Sequence, residues 1–136
     1  MPAFNKFNSF VEAMAEGVHN LSTNQLTLAL TNVAPVATNS LLADITQISY
    51  TNLSSRNLTV SSSSQSGGVY KCIVADHTIT STGGSTGPFR YVVVYNSTAA
   101  GGPLIGWYDY GAAQTLLAGE SLVVDFDQVD GLVKNQ

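Results

Sequence analysis

Charge is what this chain has least of. Of its 136 residues only 10% are Asp, Glu, Lys or Arg, against about 25% in an ordinary soluble domain. The basic residues Lys6, Arg56, Lys71, Arg90 and Lys134 are scattered, and the net charge is −4. No cluster among them would neutralise a run of phosphates, so nucleic acid is not an expected partner. Cysteine is equally scarce. Cys72 stands alone, which rules out a disulfide within the chain, and its setting in VYKCIVAD reads as a buried small hydrophobe. Long apolar runs are missing too: none approaches the roughly 20 residues that cross a bilayer, so no membrane partner is expected. The opening MPAFNKFNSF has neither the basic region nor the apolar stretch of a signal peptide, which predicts a chain made in the cytoplasm without export. The sequons at Asn20, Asn52, Asn57 and Asn96 then read as by-products of a composition rich in Asn, Ser and Thr.

Groupings that carry chemistry are also thin. His19 and His77 lie in different elements, and neither has a second ligand at the spacing a metal site uses. Asp76 and His77 are adjacent, but neighbours on an extended segment point to opposite faces and so do not pair as acid and base. Asp125, Asp127 and Asp130 before Gly131 resemble a calcium loop with the third Asp and the Gly one residue late and no Glu to follow. The plainer reading is the outward face of a last strand entering an Asp-Gly turn; a weak structural cation between subunits is the minor alternative. STGGSTGP lacks the Lys-Ser or Lys-Thr of a phosphate loop and reads as a turn. Catalytic, metal and cofactor residues are therefore expected to be none, and the chain is not expected to be an enzyme.

What is present is pattern. A chain of this length fits one domain, 1–136, able to bury roughly two-thirds of its surface. Phe4, Phe7, Phe10, Val11, Met14, Val18 and Leu21 recur at helical spacing, which predicts an amphipathic helix over 4–21. Its aromatic stripe would dock on its own sheet, the favoured reading, or on a neighbouring subunit.

From residue 26 to 134 the pattern becomes short β-type runs between turn residues. Leu26 to Thr31 alternates and ends before Pro35. Asn39 to Ser49 fits either a helix or a short strand near Ile45 to Ser49. Asn57 to Ser63 and Gly68 to Asp76 flank SSSSQSGG, read as a hairpin connection in preference to a linker. Phe89 to Asn96 is apolar on both faces and predicts a central strand. Leu104 to Gly111 is a further strand. QTLLAGESLVVDFD suggests a hairpin around Ala118-Gly119-Glu120, with Leu122, Val124 and Phe126 inward. Together these predict a mainly β fold: an antiparallel sandwich or small barrel, of jelly-roll or immunoglobulin-like kind, with one N-terminal amphipathic helix.

Such a chain presents a neutral, hydrogen-bonding surface, which costs less to desolvate than one of Lys and Glu and so suits assembly. The candidate interface residues are the aromatics Phe4, Phe7, Phe10, Trp107, Tyr108 and Tyr110. Tyr91, Tyr95, Trp107, Tyr108 and Tyr110 are first read as core and rim; Trp107 with Tyr108 would be the stacking candidates if a glycan bound.

The run GPFRYVVVYNSTAAGGPLIGWYDYG followed by LAGESLVVDFD resembles a family of small virion structural proteins of tailed bacteriophages. The opening FNKFNSFVEAMAEGVHNL and LTLALTNVAPVATNSLLADITQI extend the likeness over nearly the whole chain. The resemblance implies a capsid decoration (cement) protein on the virion surface, a homo-oligomer (trimer or dimer) whose partner is the major capsid protein. A tail or neck component, or a host-recognition module that binds glycan, is the alternative. It implies no catalytic motif.

Overall fold

The computed structural model describes residues 2–135. The fold is mainly β, and antiparallel throughout its named strand pairs. The centre is a four-stranded sheet in the order β1 (Phe4–Lys6), β7 (Leu104–Leu116), β6 (Thr86–Asn96), β2 (Leu26–Thr31). Across the core lie two smaller sheets. One runs β3 (Val60–Ser66), β4 (Val69–Val74), β9 (Val133–Asn135), and the other pairs β5 (His77–Thr80) with β8 (Ser121–Val124). The layout is sandwich-like and does not close into a barrel.

β6 is the central strand its composition predicts. Tyr91 to Tyr95 are all buried because both faces of the sheet are covered. On one face Leu26, Leu28, Leu30, Val92, Val94 and Tyr108 meet Cys72 and Val74 of β4, Ile79 of β5 and Val124 of β8. On the other, Ala29, Val93 and Leu104 are covered by Phe7, Ile45 and the half-buried Leu42. That second covering explains why all six residues of β2 are buried although only alternate ones are leucine.

The segment 39–49 forms only a 3-10 turn at Leu42–Asp44 and otherwise runs without a named element, so neither the helix nor the strand reading describes it. It leads into a strap over the outer edge of β2. Ile48 N donates to Leu30 O at 3.0 Å, Leu28 N to Arg56 O at 2.9 Å, and Leu58 N to Leu26 O at 2.8 Å. The Arg56 guanidinium lies 3.6 Å from the centre of the Tyr50 ring, pinning the strap.

The opening segment differs from the helix expected over 4–21. Phe4–Lys6 is strand β1, registered Phe4 to Tyr108 and Lys6 to Gly106, and the helix α1 covers only Asn8–Ala15. Backbone pairing with β7 outweighs the helical spacing of the three phenylalanines, a local preference that tertiary pairing overrides. Gly106 makes the approach possible: a Cβ there would overlap the Phe4 ring and lie 2.6 Å from Asn5 O. At the other end Gly17 takes φ +77°, Val18 N donates to Ala13 O and Gly17 N to Met14 O. This double return is a glycine C-terminal stop, so the helix cannot run on to Leu21.

Three further expectations change. β7 continues past Gly111 to Leu116, because Gly111 at φ +82° absorbs a register shift and the strand resumes pairing at Gln114 with Phe89. The turn at Ala118-Gly119-Glu120 is present but is not a hairpin: β7 pairs with β6 and β8 with β5, so the turn carries the chain from one sheet to another. In the serine-rich hairpin only Gly67 and Gly68 form the turn, and Ser61 to Ser66 belong to β3.

Candidate functional site

The six aromatic candidates divide between surface and interior. Phe7, Phe10 and Tyr108 are buried in their own chain, and of the three only Phe10 borders a surface groove. Phe7 sits 4.6 Å from the Trp107 ring on one face of the large sheet. Phe10 packs on the opposite side, in the main core, 5.3 Å from the His19 ring. The opening segment thus straddles the edge of the sheet. Tyr108 lies between Phe4 at 5.1 Å and Phe126 at 5.9 Å. Being adjacent on β7, Trp107 and Tyr108 face opposite sides of the sheet and do not make one stacking platform. Phe4, Trp107 and Tyr110 remain partly exposed.

Phe4 leads to the feature best suited to recognition. A groove of about 660 Å3 runs between α1 and β9. Phe4, Phe10, Val11 and Met14 line one side, Leu132 and Val133 the other, and the exposed Lys6 and Lys134 stand among them. Helical spacing puts Phe10, Val11 and Met14 on one face of α1, and Val11 is left 56% exposed because nothing covers it. Lys134 Nζ lies 3.3 Å from Asp130 Oδ1, which is also 3.6 Å from Lys71 Nζ. Lys6 has no carboxylate within 4 Å among the described residues. An apolar cleft edged by ammonium groups suits an apolar segment carrying negative charge. Sequence periodicity indicates Val11 and Met14; it does not indicate Leu132 and Val133, which reach the groove only through the pairing of β9 with β4.

The titratable groups singled out from the sequence are engaged elsewhere. Asp76 Oδ1 accepts from Phe126 N at 2.8 Å, while His77 Nε2 donates to Ser55 O at 2.7 Å, so this pair serves two separate backbone contacts. Asp127 Oδ1 accepts from Val129 N and Asp130 N, and those bonds hold its carboxyl below the usual range. Among the described residues no group of three or more His, Cys, Asp and Glu side chains is placed to hold a metal ion. Burial pushes the Cys72 thiol up, away from the thiolate form. The Arg90 guanidinium makes a two-pronged contact with Asp109 at 2.8 and 3.1 Å, and lowers its carboxyl.

His19 is the polar residue the sequence does not distinguish. It is 6% exposed. Asn96 Oδ1 accepts from Thr98 N and Ala99 N, which fixes that amide so that Nδ2 faces Asn24 Oδ1 at 2.8 Å and His19 Nδ1 at 3.1 Å. His19 Nδ1 is then an acceptor, and the proton sits on Nε2, a buried atom with no partner among the described residues. Desolvation lowers its pKa.

No family model matches the sequence, and no curated protein or solved structure matches it. No helix is long and apolar enough to cross a membrane among the described residues.

Proposed function

We propose that this chain is a bacteriophage virion structural protein, a capsid decoration (cement) protein that binds the outside of the major capsid protein lattice and stiffens the head, and that it is not an enzyme. The observation that carries the proposal is the run Gly87 to Gly111 with its continuation to Asp127, which resembles small phage virion proteins. That run contains most of β6, the first half of β7, and β8. The groove between α1 and β9 supports the reading as the contact area, since it offers apolar surface and two ammonium groups to a segment of the shell. A surface poor in charge supports it further, because repeated contacts of modest strength are multiplied when many copies sit on one lattice.

The test uses shells assembled without this chain. Purified protein added to them should co-sediment and saturate at a fixed ratio to the major capsid protein. Failure to bind shells, or binding confined to tails, would overturn the assignment to the head.

A further inference from the structure

The molecule guards its strand edges unevenly. The free sides of β1 and β9 are three residues long and each carries a lysine, Lys6 and Lys134. The outer side of β2 is closed by the strap through Arg56 and Leu58. The outer side of β5 receives Ser54 N at Thr80 O. β3 is different. It is the outer strand of its sheet, seven residues long, without charge or proline, and with Ser61, Ser64, Gln65 and Ser66 exposed. Long uncharged edges are what monomeric sheet proteins avoid, because the unpaired N–H and C=O groups accept another strand.

The turn fixes which groups are open. Gly67 and Gly68, at φ +59° and +84°, make a two-residue reversal, so Ser66 and Val69 exchange both backbone bonds. By alternation Ser64 with Lys71 and Ser62 with Ile73 do the same, and Ser63 and Gln65 turn their N–H and C=O outward. No backbone group among the described residues bonds to them there.

We propose that β3 pairs antiparallel with β3 of a second copy of this chain, about a two-fold axis through Ser64, joining two three-stranded sheets into one of six. In that register Ser63 exchanges both bonds with Gln65 of the partner subunit, and Gln65 does so with the partner's Ser63. Ser62 lies opposite the partner's Ser66. All facing side chains are uncharged, so like charges never oppose across the axis. The nearest charge, Lys71, is opposite Ser64 in its own sheet. It therefore stands three strand spacings, roughly 14 Å, from the partner's Lys71, beyond the Debye length at physiological salt. The self-complementarity of this neutral strand is what favours a second copy over a charged peptide. Edge pairing alone buries less than the roughly 1,200–2,000 Å2 of a strong complex, so the dimer is weak and concentration-dependent.

The inference stands on the β3 edge and not on the virion reading, which implies a homo-oligomer without assigning the surface that joins its copies, and it is tested on the isolated chain in solution. Sedimentation of the full chain from about 10 µM to 1 mM should show a monomer–dimer equilibrium. Hydrogen exchange should slow at the Ser63 and Gln65 amides as concentration rises, with Ser62 and Ser64 unaffected. Gln65→Pro removes an outward N–H that the internal ladder does not use, and should weaken dimerisation at least tenfold without a large change in melting temperature; Gln65→Ala should dimerise as the wild type does. Ser64→Glu, which faces Lys71 within the chain but its own copy across the axis, should also be monomeric. A monomer throughout the range, or a dimer insensitive to both Gln65→Pro and Ser64→Glu, would overturn the proposal.

Discussion

His19 is the residue whose ionisation bears most directly on stability. Buried and uncharged, it binds its proton less readily in the folded chain than an ordinary histidine near 6.5 does in the unfolded one. As pH falls below that value the unfolded state takes up the proton first, so stability is full above about pH 7 and declines below 6.5, by at most about 1.4 kcal/mol per pH unit. Asp109 and Asp127, held down by Arg90 and by backbone N–H groups, act in a lower window and lose their contribution only below the usual carboxylate range. Urea denaturation at pH 7.5 and 5.0 should therefore show a drop in the wild type that His19→Gln largely removes; equal drops in both would refute the account. Gly106 gives a second residue-level expectation. Because its Cβ would overlap Phe4, Gly106→Ala should destabilise the domain by about 1–3 kcal/mol in thermal melting and expose the Phe4 end of β1 to hydrogen exchange.

At the scale of elements, what could be read in advance follows range. β2 was legible at its exact bounds, Leu26–Thr31, because alternation and Pro35 act within a few residues. The central character of β6 was legible from Tyr91 to Tyr95, since burial on both faces demands apolar residues at successive positions. β1 was not, because the reason for it is Gly106, a hundred residues away, and three residues carry no period. The end of α1 was within reach, as Gly17 is an ordinary stop signal, but the apolar spacing that continues to Leu21 hid it. The groove was half legible: its α1 wall follows from periodicity, while β9 is too short to announce itself. Phe7 and Phe10 lock the opening segment to two faces of the sheet, so Phe7→Ala and Phe10→Ala should each cost about 3–5 kcal/mol by denaturant titration, even in the monomer. Val11 is exposed on the same helix, and Val11→Asp should leave the melting temperature within a few degrees while reducing binding to shells at least tenfold.

For the whole molecule, the sheet fold and the function rest on different kinds of support. The sandwich-like layout follows from two covered faces of one sheet and from turns that pass the chain between layers, as at Ala118-Gly119. The proposal of a decoration role starts from the sequence of the β6–β7–β8 stretch and is joined by a composition poor in charge and an open apolar groove. Copy number distinguishes a protein repeated over a shell lattice from a tail or neck component, because multivalent coating requires many copies on one surface. The direct measurement is the number of these chains per purified virion relative to the major capsid protein, by quantitative mass spectrometry. Hundreds of copies at a fixed ratio to the capsid protein are expected; absence from the particle, or a few copies only, would overturn the assignment to the head.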